Sequence, residues 1–179
     1  LRQRQRENDF RIALDLQKDL KVQEMGDDGN CLYRSMSHLL YGTQNHHKII
    51  REKCMEFIYL KANQFMGFVD MERYRSMSDY VKDGRKSKVW GDHVEIQAMA
   101  ELYCMKIEIY EDEAIPKLTF GSGEQIMRLS YHNKNHWNAV TPKSAFRPLI
   151  CNTVAPGITE EDCIIKATKE VTELEQKLK

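Results

Sequence analysis

The sequence lacks the features that mark several large classes of protein. It has no C-x-x-C pair, and its five cysteines, at 31, 54, 104, 151 and 163, are odd in number and widely spaced. That pattern excludes a dense disulfide framework and a structural zinc site, and it reads as reduced thiols in a cytosolic or nuclear setting. There is no excess of either charge, since Lys plus Arg and Asp plus Glu both number 27. A large positive field usually accompanies nucleic-acid binding, so a DNA or RNA partner is not expected. No apolar run approaches the roughly 18–20 residues that span a bilayer, so no membrane partner is expected either. The start, Leu1-Arg2-Gln3-Arg4-Gln5-Arg6, is too polar for a secretory signal, and its first residue is not Met, which reads as a segment of a longer chain.

What is present fits one domain with tails, because 179 residues with 41% hydrophobic content can bury one sizeable core. Phe10, Leu14 or Ile12, Leu16 and Leu20 follow an approximately helical spacing, which predicts a docking helix over residues 1–20. An extended segment, Lys21 to Met25, feeds the turn-forming run Gly26-Asp27-Asp28-Gly29-Asn30. From Cys31, the residues Leu32, Met36, Leu39 and Leu40 mark one face of a helix with Cys31 in its first turn. Further helices are predicted over 46–65 and, more weakly, from Met71 to Val81, with a solvated loop at 82–88. Asp92 and Glu95 suit a capping box that opens another helix.

Lys106 to Glu111 alternates at period two, and Gln125–Tyr131 and His136–Val140 are further strand candidates around a polar turn, 132–135. Helices first and strands later favour an α+β fold. Pro142, Pro148, Pro156 and Gly157 mark a change of character, so the expected division is a helical extension (1–20), a catalytic domain (21–147), and a linker with a helix (148–179). In that last helix Ile164, Thr168, Val171, Leu174 and Leu178 share a face, behind acidic Glu160, Glu161 and Asp162.

The chemistry-bearing residues are far apart in the chain. A thiol is a useful nucleophile as thiolate, and a place at a helix N-terminus beside a histidine favours that state. Cys31 has the first of these settings. The loop Asp28-Gly29-Asn30 ahead of it can turn backbone amides inward as an oxyanion hole requires, with the Cys31 N–H a natural donor. On the candidate strand, His136 and Asn138 project to the same side, so Asn138 can accept from the imidazole and fix its tautomer, while Trp137 points into packing. Cys31, His136 and Asn138 thus form a nucleophile–base–orienter set. Cys54 and Cys104 read as core, His93 and His132 as capping, packing or surface residues, and His46 and His47 lack a matching ligand pair for a metal.

Three blocks sharpen the reading. Gly26-Asp27-Asp28-Gly29-Asn30-Cys31-Leu32-Tyr33-Arg34-Ser35, Trp90-Gly91-Asp92-His93-Val94-Glu95-Ile96-Gln97-Ala98-Met99-Ala100 and Tyr131-His132-Asn133-Lys134-Asn135-His136-Trp137-Asn138-Ala139-Val140 together resemble the ovarian-tumour (OTU) family of deubiquitinases. The resemblance covers about residues 20–142. It implies a papain-like cysteine peptidase in which a small mixed sheet lies between helical layers. It implies Cys31 as nucleophile, His136 as general base, Asn138 as orienter and Asp28 as a shaper of the oxyanion loop, whose backbone includes Gly29 and Asn30. It also implies ubiquitin, polyubiquitin chains and ubiquitinated proteins as partners, a monomer, and no metal or organic cofactor. Competing readings are a ubiquitin-binding module that does not cut and a protease for another ubiquitin-like modifier. In the tail, the acidic cluster followed by Ile164 and Ala167 resembles a ubiquitin-interacting helix, with Val171 where such motifs carry serine; the plainer reading is a helix that packs on the domain or frays in solution.

Overall fold

A computed structural model describes residues 2–150 of the chain, so the expected tail helix and its resemblance lie outside the described residues. Leu20–Gln23 (β1), Lys106–Tyr110 (β2), Leu118–Phe120 (β3), Ile126–His132 (β4) and His136–Pro142 (β5) form one sheet in the order β1-β5-β4-β2-β3. Only β2 and β4 run parallel, so the sheet is mixed. The helices are α1 (Arg2–Lys18), α2 (Cys31–Tyr41), α3 (His47–Leu60), α4 (Ala62–Phe65), α5 (Met77–Gly84) and α6 (His93–Leu102).

The period of two along each strand assigns side chains to two layers. Ile107, Ile109, Met127, Leu129, Trp137 and Ala139 join Leu32, Met36 and Leu40 of α2, Ile50 and Ile58 of α3, and Ile96 and Met99 of α6 in the main core. Tyr110 and Val140 turn the other way and form a smaller core with Leu20 and with Phe10 and Leu14 of α1. At about 1.5–3 kcal/mol for each large apolar side chain buried, Phe10 and Leu14 supply roughly 3–6 kcal/mol, enough to hold α1 on the sheet.

The predicted capping box opens α6, and the Glu95 carboxylate accepts from the Asp92 N–H at 2.7 Å. Other boundaries differ from expectation for local reasons. The helix predicted over 46–65 breaks at Lys61, whose amide turns back to the carbonyls of Phe57 and Tyr59 and brings Phe65 edge-on to Phe57. Residues 71–76 are turns, and α5 begins only after Ser76, whose hydroxyl accepts from the Asp79 N–H. α5 then continues to Gly84, which lies against Met55, so 82–84 belongs to a packed helix and not to a solvated loop. β3 was not predicted; it is three residues long and mostly exposed, with little apolar alternation.

Gly42 ends α2 in a left-handed conformation and donates to the His38 carbonyl at 2.8 Å. The chain returns to this end much later: the amides of Leu149 and Ile150 donate to the carbonyls of Leu39 and Leu40 at 3.0 and 2.8 Å. Leu149 and Ile150, just past the domain edge expected at 147, thus serve two carbonyls in the last turn of α2.

Candidate active site

The loop before α2 is shaped by the Asp28 side chain and by the backbone conformation of Gly29. Asp28 accepts from the Asn30 N–H at 3.1 Å and pairs with Arg34, one turn into α2, at 2.6 Å. The Arg34 guanidinium holds the Asp28 carboxyl far below the usual carboxylate range. Gly29 has φ of +78°, and a β-carbon there would lie 2.6 Å from the Lys88 carbonyl oxygen, so only glycine fits this turn without displacement.

Asn30 occupies the N-cap of α2 but makes no side-chain capping bond. Its oxygen accepts instead from Arg51 Nη2 at 2.8 Å and from the Lys88 N–H at 3.0 Å. Arg51 is itself buried on α3, donates to the carbonyls of Gly84 and Val89 at 2.9 and 2.8 Å, and lies 4.1 Å over the Tyr33 ring. With Asn30 turned toward Arg51, the first-turn amides of α2 are left without the acceptor an N-cap normally supplies. Cys31 is the first residue of that uncapped turn.

The Cys31 sulfur is buried and accepts from the Trp137 N–H at 3.5 Å. Burial pushes the thiol above its ordinary value; the amides of Trp137 and Leu32 pull it down, and Asp27 pushes it up. Of the two settings expected to favour thiolate, a helix start and a neighbouring histidine, the first does not suffice by itself. Loss of solvent outweighs the local amides, and thiolate formation in this pocket depends on a cationic partner.

That partner is available from β5. His136 and Asn138 share a face, as expected, and His136 Nε2 lies 3.0 Å from Asn138 Oδ1. The amide of Asn138 cannot be reversed: its oxygen also accepts from the Met25 N–H at 2.8 Å, and its Nδ2 donates to Glu24 at 3.0 Å. His136 Nε2 must therefore carry the proton it shares with Asn138, which leaves Nδ1 as the basic position of the neutral ring. Nδ1 is buried, with no hydrogen-bond partner among the described residues, and Asp27 stands 3.6 Å away. Trp137 points into the main core beside Tyr131, as predicted. One strand thus presents the imidazole and, through its next amide, touches the thiol.

The family model for OTU-like cysteine protease matches residues 26–146. The chain belongs to this family. Similar proteins include OTU domain-containing protein 5 of Xenopus tropicalis, 32% identical over an alignment of 183 positions, gaps included, that covers 97% of this chain and 35% of that protein. OVARIAN TUMOR DOMAIN-containing deubiquitinating enzyme 6 of Arabidopsis thaliana is 31% identical over 140 residues, 76% of this chain and 27% of that protein. The chain therefore spans only about a third, or less, of these relatives. Among solved structures, the OTU domain of OTUD1 superposes with a TM-score of 0.65 at 20% identity, covering 77% of this chain and 93% of that one. An ovarian-tumour domain solved in complex with ubiquitin gives a TM-score of 0.59 at 19% identity, covering 88% of each chain. These likenesses show that the fold of this OTU domain is the papain-like one expected, with a small mixed sheet between helical layers.

Around the OTU site, the plainer readings of several residues hold. Cys54 is fully buried in the core with its sulfur near the Glu95 carbonyl, and burial pushes its thiol well up. His93 begins α6, beside Asp92 and the Phe120 ring. Among the described residues no group of three or more His, Cys, Asp or Glu side chains is placed to hold a metal, and no helix is long and apolar enough to cross a membrane. His132, assigned to the polar turn, is instead the buried last residue of β4, bonded to Ser130 at 2.7 Å and paired across the strands with His136. Sequence reasoning missed Arg51, Lys88 and Glu24. Arg51 carried a detectable signal, a cation on the apolar face of α3 one residue after Ile50, whereas Glu24 and Lys88 stand in ordinary polar segments.

Proposed function

We propose that this OTU domain is a deubiquitinating thiol hydrolase that cleaves the isopeptide bond after the C-terminal glycine of ubiquitin through an acyl-enzyme on Cys31. The observation that carries the reading is the coupling of β5 to α2. The imidazole of His136 is oriented by Asn138, its Nδ1 is buried without a hydrogen-bond partner among the described residues, and the neighbouring Trp137 amide contacts the Cys31 sulfur. Ubiquitin as the substrate class is supported by family membership and by a similar relative being called a deubiquitinating enzyme.

In the proposed sequence the Cys31 proton passes to His136 Nδ1, and the sulfur attacks the glycine carbonyl. The oxyanion is met by first-turn amides of α2 and by the 28–31 loop, which Asp28, Gly29 and Asn30 hold open. His136 then protonates the departing lysine amine as the C–N bond breaks. Water, its proton taken by His136, adds to the thioester and releases the ubiquitin carboxylate and the thiol. Each step uses only this chain's side chains and amides, with water. The partners proposed are polyubiquitin chains and ubiquitinated proteins, met by a monomer in the cytosol or nucleus, where the reduced thiols of Cys31 and Cys54 are at home.

Ubiquitin bearing a C-terminal electrophile tests this directly. A covalent adduct mapped to Cys31, and none with Cys31→Ala, is expected. Failure of the native chain to form it, with normal folding, overturns the proposal.

A further inference from the structure

The sheet face that carries His136 and Asn138 is the one α1 covers, since Val140, next in the same alternation, packs with Phe10 and Leu14. From α1, Arg11 reaches Glu7 at 2.7 Å and also pairs with Glu24, in the segment between β1 and the loop. The other oxygen of Glu24 accepts from Asn138 Nδ2 at 3.0 Å, and the Met25 N–H that follows donates to Asn138 Oδ1 at 2.8 Å. Asn138 is only 1% exposed, so in the folded chain its amide is held by these protein partners and not by solvent. Arg11 and Glu24 both precede the span matched by the family model, which begins at residue 26.

We propose that Arg11 and Glu24 are positioning residues for the active site: Arg11 holds Glu24, and Glu24 holds the Asn138 amide with its oxygen toward His136 Nε2. The inference rests on the function proposed above and makes α1 part of the working site. Other charged groups close to the two histidines of this face are Asp27, 3.6 Å from His136 Nδ1, and Glu7, 3.7 Å from His132 Nδ1. Arg11 and Glu24 are partly exposed, and exposed ion pairs contribute little to stability, so a positioning role predicts altered turnover without altered melting.

The test measures kcat and KM on a ubiquitin C-terminal fluorogenic substrate for Arg11→Ala, Glu24→Ala and Glu24→Gln in the full chain. Arg11→Ala and Glu24→Ala should each lower kcat by about two- to twelvefold, the effect of one ordinary hydrogen bond, with KM unchanged. E24Q keeps an oxygen for Asn138 but turns its amide NH2 toward Arg11, so it should lose no more kcat than Arg11→Ala does and less than Glu24→Ala. In an Asn138→Ala background, Glu24→Ala should cost nothing further. Unchanged kcat in both alanine variants, or losses that multiply in full with that of Asn138→Ala, would overturn the proposal.

A second readout needs no ubiquitin: the pH dependence of iodoacetamide alkylation at Cys31, resolved from the other cysteines by mass spectrometry. A poorly oriented imidazole stabilises the thiolate less, so the midpoint should rise in Arg11→Ala and Glu24→Ala. If the native chain proves inert toward ubiquitin, this profile alone decides. A raised midpoint upholds the positioning role although the substrate assignment has failed, and an unmoved midpoint sinks it.

Discussion

Replacing Arg51 by lysine keeps a cation at the same buried site and removes the fork that organises it. Nη1 serves the carbonyls of Gly84 and Val89, while Nη2 serves Asn30, all at 2.8–2.9 Å. One ammonium on a thinner stem can take the place of Nη1, but it leaves Asn30 with the Lys88 amide as its remaining donor. The loss is one hydrogen bond from a charged donor, about 1.5–3 kcal/mol, plus about 0.5–1 kcal/mol of stacking on Tyr33. A total of about 2–4 kcal/mol in a domain of this size lowers Tm by roughly 5–15 °C.

Turnover should fall as well, for a separate reason. Once released, the Asn30 oxygen can swing back to cap α2, where it competes for the same first-turn amides that are proposed to receive the oxyanion. Loss of one such donor costs about a hundredfold or more in kcat, so partial occupation predicts a drop of at least about tenfold with little change in KM. Differential scanning calorimetry and steady-state kinetics on a ubiquitin C-terminal fluorogenic substrate read the two effects independently. A native Tm refutes the energetic argument, and a lowered Tm with native kcat refutes the orientation of Asn30 by Arg51.

Three further outcomes follow from the site. Cys31→Ser should abolish turnover with the circular dichroism spectrum intact, while Cys54→Ala should cost about 1 kcal/mol and leave kcat near native; inactivation by alkylation at Cys54 would contradict its burial. His136→Ala should nearly abolish activity, whereas Asn138→Ala should lose about ten- to a thousandfold, since one moves the proton and the other orients it; equal, small losses would refute the assignment of β5. For Asp28, the folded carboxyl is depressed by Arg34, so its stabilisation is present above the ordinary carboxyl pKa of about 4 and is lost as pH falls toward the folded value. The urea-unfolding gap between the native chain and Asp28→Asn should therefore be constant near neutrality and shrink below pH about 4. A gap that widens in acid reverses the sign and removes Asp28 from the loop's support.

The sequence by itself determined the parts that depend on short-range rules. Period two put His136 and Asn138 on one side of a strand, helical spacing put Cys31 in the first turn of α2, and the Asp92–Glu95 pair marked the start of α6, because each rule acts within a few residues. The three motif blocks then carried the family and, with it, the small mixed sheet. Where side chains compete over longer distances the sequence was silent or misleading. It placed His132 in a turn although the residue ends β4 opposite His136 and lies buried beside the Phe10 ring of α1. It treated 82–88 as solvated although Lys88 and the Gly84 carbonyl brace Asn30 through contacts made 33 to 58 residues apart. It named a helix start and a histidine as what favours the Cys31 thiolate but could not weigh them against burial, a property of the assembled core, which raises the thiol. Only the tertiary structure decided that α1, through Arg11 and Glu24, reaches the amide of Asn138, because that path runs from a helix to a turn to a strand more than a hundred residues on.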